Sequence, residues 1–162
     1  MKRILLVLLI LAALYFGVRL HYPGRAPVNL PAESCDASLW NHVYLPNRLK
    51  VIAACTAVEG RVVAIQKESD GDLHIAIEPG QTSVLNLVNA IHGHRRLVVE
   101  SICDHDSGPE SYSHAACAGF TPSVAIPKVG DRVRVTGSYV TDSEDGWREI
   151  HPVSRIELLH RQ

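Results

Sequence analysis

The sequence predicts a small, mainly β domain of five strands closed into a barrel. Three observations lead there. First, "TAVEGRVVAIQKE" (56–68) and "LHIAIEP" (73–79) flank the turn "SDGD" (69–72), which makes a β-hairpin. Second, "KVGDRVRVTGSYVTD" and "WREIHPVSRIELL" flank a second turn, "SEDG", which makes another. Third, Gly60 and Gly137 fall inside strand patterns, where a small closed barrel needs tight bends.

The elements follow in order. Residues 4–18, "ILLVLLILAALYFGV", carry no charge and follow "MKR", so the chain is directed to export. The end of this run lacks the small residues of a cleavage site, and residues 4–20 fall slightly short of the roughly 20 apolar residues of a spanning helix. An uncleaved membrane anchor through residues 4–20, a cleaved signal peptide and a buried helix all stay open, with the anchor preferred. Residues 1–20 are assigned to this apolar helix, 21–34 to a proline-rich linker and 35–162 to the β-barrel domain. Lys2 and Arg3 then stay in the cytoplasm and the domain lies on the periplasmic or extracellular face.

Asp36 is placed to cap a short helix through "ASLWNHVY", which Pro46 ends. In the first hairpin, Leu73, Ile75 and Ile77 alternate with His74, Ala76 and Glu78. Residues 80–96 read as a long connection with one helical turn, and "LVVESIC" (97–103) as a third strand. "GPESYSHAACAGF" (108–120) holds a short helix between the third and fourth strands, with Pro109 near its first turn. The fifth strand is expected to be interrupted at Pro152.

Charge bounds the partners. The chain of 162 residues has 16 Lys and Arg against 17 Asp and Glu. Residues 1–20 hold Lys2, Arg3 and Arg19 and no acid, which leaves 13 cations against 17 anions beyond them, a net of -4. A mildly acidic domain is a poor general binder of nucleic acid, whose non-specific affinity comes from phosphate neutralisation. Four cysteines, Cys35, Cys55, Cys103 and Cys117, suit an oxidising compartment. Of three possible connectivities, Cys35–Cys55 and Cys103–Cys117 are preferred, because each pair brackets a loop-rich segment.

The strand order, with "DGDLHI … PKVGDRVRVTGSYV … DGWREIHPV", resembles the OB-fold, whose helix lies between the third and fourth strands. It also resembles a group of uncharacterised exported bacterial proteins with the same pattern. The resemblance spans about residues 50–158. It implies a five-stranded OB-like barrel and, as ligands, oligonucleotides or oligosaccharides.

Several residues are candidates for chemistry. Trp147, Glu149 and His151 share one strand face, so Glu149 and His151 could bind a metal with His74, or serve a metal-dependent hydrolase. The plainer reading makes Trp147 an anchor and Glu149 and His151 contacts that fix register. Asp70 and Asp72 read as turn residues. "HGH" (His92, His94) with Arg95 and Arg96 could hold a phosphate or an acidic partner, and "CDHD" (103–106) loses its thiolate if Cys103 is oxidised. The chain has no G-x-S-x-G, HExxH, CxxC or Gly-rich phosphate loop.

The expected function is therefore that of an exported, non-catalytic binding or accessory domain with no cofactor. Its ligand would cross the outward face of the second and third strands, touching His74, Glu78, Arg95 and Arg96, with residues 80–96 and 104–121 as rims. Sugar or protein is preferred to nucleic acid. The alternatives are the metal-binding reading and a structural component of an envelope complex.

Overall fold

A computed structural model describes residues 25–108 and 112–159. The apolar helix expected over 1–20 lies outside them, as do Pro109 and residues 21–24 of the proline-rich linker; the rest of that linker is described, and its Val28 and Asn29 pair with Ala57 and Thr56. Among the described residues no helix is long and apolar enough to cross a membrane.

Six strands form one sheet: β1 (Val28–Asn29), β2 (Leu49–Lys67), β3 (Leu73–Pro79), β4 (Leu97–Ser101), β5 (Arg132–Asp142) and β6 (Arg148–Leu158). Their order is β1-β2-β3-β4-β6-β5, and β5 also pairs with β2. Strands β2 to β6 therefore form a ring of five, with β1 on β2 outside it. All pairings are antiparallel except β4 with β6, which is parallel and sets Val98 beside Glu149 and Val99 beside Ile150. Helix α1 (Leu87–Ile91) lies between β3 and β4, and α2 (His114–Cys117) between β4 and β5.

The ring closes because β2 is long enough to serve two partners. Its first part pairs with β5, from Leu49 opposite Asp142 to Arg61 opposite Arg132, and its second part pairs with β3. The strand therefore starts seven residues before the expected Thr56. Gly60 and Gly137 sit where backbones come too close for a side chain. A Cβ on Gly60 would lie 2.7 Å from the Glu78 carbonyl oxygen, and one on Gly137 would lie 2.5 Å from that of Pro152. Pro152 does not interrupt β6, which runs through it with register shifts around Gly137.

Alternation decides what is buried. Ile75, Ile77, Leu97, Val99, Val133, Val135 and Ile150 point into the ring and form its core with Val58, Val62 and Val153. A second core lies outside the ring: Leu39, Val43, Leu49, Ile102, Cys103 and Val140, with Trp40, Cys117 and Phe120 against them. Its cover comes from the 3-10 turn Ala37–His42, whose first N–H groups are capped by the Asp36 carboxylate accepting from Ser38 N at 2.9 Å. The disulfides Cys35–Cys55 and Cys103–Cys117 are both present and staple this outer layer to the ring. Two such bonds suit an oxidising, extracytoplasmic environment.

Candidate functional site

Between the ring and its outer cover a polar cluster lies beside the apolar packing. On β3, β4 and β6 the residues facing away from the ring core include His74, Glu100, Glu149 and His151. The antiparallel register puts His74 opposite Glu100. The parallel register carries β6 beside β4, so His151 falls next to Glu100, one step beyond Val99 and Ile150. Glu100, Glu149 and His151 are each buried to within 1% of complete enclosure. Such groups survive in a core only when charges and hydrogen bonds compensate each other.

The compensation runs in a chain. His74 Nε2 lies 2.6 Å from Glu100 Oε1. Glu100 Oε2 lies 2.8 Å from His151 Nδ1, and Glu149 Oε1 lies 3.0 Å from the same nitrogen. Trp147 Nε1 donates to Glu149 Oε2 at 2.9 Å. On the far side Arg48 forms an ion pair with Asp142 and reaches 3.9 Å from Glu100 Oε2. His74 Nδ1 opens the chain toward the surface, 3.4 Å from Glu68.

The protonation states follow from these contacts. Burial pushes the His151 imidazole down, but the carboxylates of Glu100 and Glu149 overcome it and raise its pKa to about 10. Burial pushes Glu100 up, and the His151 and His74 cations outweigh that and hold it well below the usual carboxylate range. His74 is likewise raised: burial opposes, and Glu100, Glu68 and Glu149 prevail. Asp72 goes the other way. Burial, then the neighbouring Asp70 charge, raise it to about 7, although its Oδ1 accepts the Cys103 N–H at 2.7 Å.

Two polar atoms in the cluster, His151 Nε2 and Glu100 Oε2, are buried without a hydrogen-bond partner among the described residues. The Glu100 oxygen lies 2.8 Å from His151 Nδ1 and 3.9 Å from the Arg48 guanidinium.

The sequence candidates divide accordingly. His74 and His151 are joined through Glu100, and Glu149 touches His151. Glu78 is exposed and pairs with Arg61 at 2.6 Å. Arg95 is exposed and Arg96 half-buried, in a turn where His94 and Arg95 adopt left-handed backbone angles. Ile77 pairs with Leu97, so this turn lies at the opposite end of the β3–β4 pair from His74. Three residue steps along a strand are about 10 Å. Asp72, expected as a plain turn residue, is buried.

Sequence reasoning missed Arg48, Glu100, Asp142 and Asn89. Glu100 had a signal: it is the one charge within "LVVESIC". Asn89 had little. It is fully buried in α1 and holds the β5–β6 turn: its Nδ2 donates to the Arg96 and Arg148 carbonyls, and its Oδ1 accepts the Arg148 N–H at 2.9 Å. Asn86 completes a capping box with it and donates to the Gly146 carbonyl at 2.8 Å.

Beyond β4 the chain forms an open cleft of about 330 Å³, lined by Asp104, His105, Asp106, Ser107, His114 and Phe120 over the Cys103–Cys117 disulfide. It adjoins the His74 end of the sheet: His105 N donates to the Gly71 carbonyl at 3.1 Å, and His105 Nε2 lies 3.0 Å from the Glu68 carbonyl oxygen. Comparison with protein-family models, with curated proteins and with solved structures finds no match to this chain.

Proposed function

We propose that the chain is an exported, non-catalytic binding domain of OB type, and that its ligand occupies the cleft beyond β4. The cleft carries this reading. Its volume falls in the range of ligand pockets, and its lining combines carboxylates, imidazoles and the ring of Phe120. Carboxylates accept hydrogen bonds from hydroxyl groups, and a ring edge or face gives a sugar an apolar contact. Asp104 and Asp106 repel phosphate. A neutral oligosaccharide fits this chemistry, and a nucleic acid does not.

The OB reading is supported by ring order. Taken alone, the five ring strands run first-second-third-fifth-fourth and back to the first, with the third and fifth parallel and α2 between the third and fourth. Ligands of that fold lie across the second and third strands, here β3 and β4, and His74 stands at the cleft end of that face. A hydrolase built on Glu149 and His151 is disfavoured because both are wholly enclosed, so no substrate reaches them.

The test pairs two titrations on the purified chain. Calorimetry with neutral oligosaccharides is expected to show binding that Asp104→Asn and His114→Ala each weaken about tenfold. Filter binding to single-stranded DNA at low salt is expected to show none. Tight, salt-sensitive DNA binding overturns the ligand class. Binding of sugar that both variants leave intact overturns the cleft.

A further inference from the structure

We propose that Cys103–Cys117 is an exchangeable disulfide that accepts two electrons from the dithiol of a second protein, with attack at Cys117 and Asp72 as the proton donor to Cys103. Both cysteines line the open cleft beyond β4. One Asp72 carboxylate oxygen and the two sulfurs all lie within 4.8 Å of one another. Exchange here needs no bound sugar, so it is independent of the ligand proposed for the cleft.

The two cysteines are unequal. Cys103 is 7% exposed, whereas Cys117 is half-buried and ends α2 at the cleft. An incoming thiolate therefore meets the Cys117 sulfur, and Cys103 is the leaving group. Cys103 also takes φ +53°, in the left-handed region that side chains rarely adopt. A bond between strained or exposed cysteines opens more readily than one between relaxed, enclosed ones. The second disulfide differs. Cys35 is half-buried too, but its backbone is extended at φ -112°, and Cys55 is 1% exposed within β2. Among the described residues no carboxylate forms a comparable group with that pair.

The acid is placed for the leaving group. Asp72 is 3% exposed, and its Oδ1 accepts the Cys103 N–H at 2.7 Å, which fixes the carboxyl beside that residue. Burial, then the Asp70 charge, raise its pKa to about 7; Glu100 on β4 adds to this, while the Cys103 N–H and His151 on β6 oppose it. The carboxyl is therefore partly protonated at neutral pH. The step balances. A thiolate attacks the Cys117 sulfur, the S–S bond breaks, and its electron pair goes to the Cys103 sulfur, which takes the Asp72 proton. The partner's second thiol then attacks the mixed disulfide and gives its proton to the departing Cys117. The partner leaves as a disulfide, this chain holds two thiols, and the proton shed by the first thiol returns through solvent to Asp72. Asp104 and Asp106 on the cleft favour a partner whose thiols sit among basic residues.

The experiment exposes the folded full-length chain to dithiothreitol, a small dithiol, traps free thiols with a maleimide at intervals and maps them by mass. Cys103–Cys117 is expected to open about a hundredfold faster than Cys35–Cys55. Corrected for reagent thiolate, its rate is expected to fall as pH rises through about 7, where Asp72 loses its proton. Asp72→Asn keeps an acceptor for the Cys103 N–H. It is expected to slow the opening at pH 6 about tenfold, to flatten the pH profile and to leave Cys35–Cys55 unchanged. Resistance of Cys103–Cys117 until the chain unfolds, or opening of both bonds at one rate, overturns the exchange. An unaltered rate and pH profile in Asp72→Asn overturns the proton donor; should that variant not fold, a flat profile in the parent does the same.

Discussion

Replacing Glu100 by Gln removes one negative charge and little volume from the centre of the outer layer. The His151 imidazolium then keeps only Glu149, and His74 loses its closest partner. Two routes give the magnitude. Breaking a buried ion pair from one side costs about 3–5 kcal/mol. The rise of His151 from 6.5 to about 10 corresponds to about 5 kcal/mol of preference for its charged form, shared by Glu100 and Glu149. A loss near 3 kcal/mol is therefore expected, or a melting point lower by about 10 °C for a chain of this size. The assay is urea denaturation of both proteins in chelator at several pH values. The sign is fixed by the direction of the shifts. A raised imidazole pKa stabilises fully below 6.5 and loses that effect as pH climbs through about 10; a depressed Glu100 stabilises above 4.5 and loses it as pH falls. The gap between parent and Glu100→Gln is thus widest between pH 4.5 and 6.5 and narrows from pH 7 to 9. A gap under 1 kcal/mol at pH 6, or one that widens toward pH 9, refutes the account of the cluster.

Three further outcomes are expected. Asn89→Ala strands the Arg148 N–H and the Arg96 and Arg148 carbonyls beside the β5–β6 turn, and should cost about 2–4 kcal/mol in urea denaturation. Gly137→Ala meets the Pro152 carbonyl oxygen and the Val153 Cα, both backbone atoms, so β5 and β6 must part; a loss of about 2–3 kcal/mol, with faster amide exchange confined to those strands, is the expected result. Replacing Cys103 and Cys117 together by Ser opens a loop worth about 3 kcal/mol, and calorimetry should show a lower melting point without loss of the ring's far-ultraviolet signature.

What could be read in the sequence was whatever is local. The two hairpins announce themselves through period-two alternation and turns with Asp and Gly, and Gly71 and Gly146 do take the positive φ that such turns need. The cysteine pairing followed from which segments were loops. The first half of β2 was not legible, because Leu49–Ala53 becomes a strand only by pairing with Val140 and Tyr139, some ninety residues later. The buried cluster was half legible for the same reason. Glu149 and His151 stood out by sharing a face, but their partner Glu100 arrives through a parallel pairing that no local pattern encodes. Arg48 and Asp142 read as ordinary strand-end polar residues until the cover is folded over them.

The parallel contact between β4 and β6 also has a consequence for the order of assembly. It joins Val98 to Glu149 across about fifty residues, so it becomes available only late as the chain emerges N-terminus first. Until residues 148–158 have been synthesised, β4 presents a bare edge with Leu97, Val98 and Val99 on it, open to strands from other chains. A polypeptide truncated before Trp147 keeps its first hairpin and both disulfide-forming pairs, yet it has nothing to cover that edge. Such a fragment is expected to self-associate, and the final eleven-residue strand acts as the intramolecular guard against it.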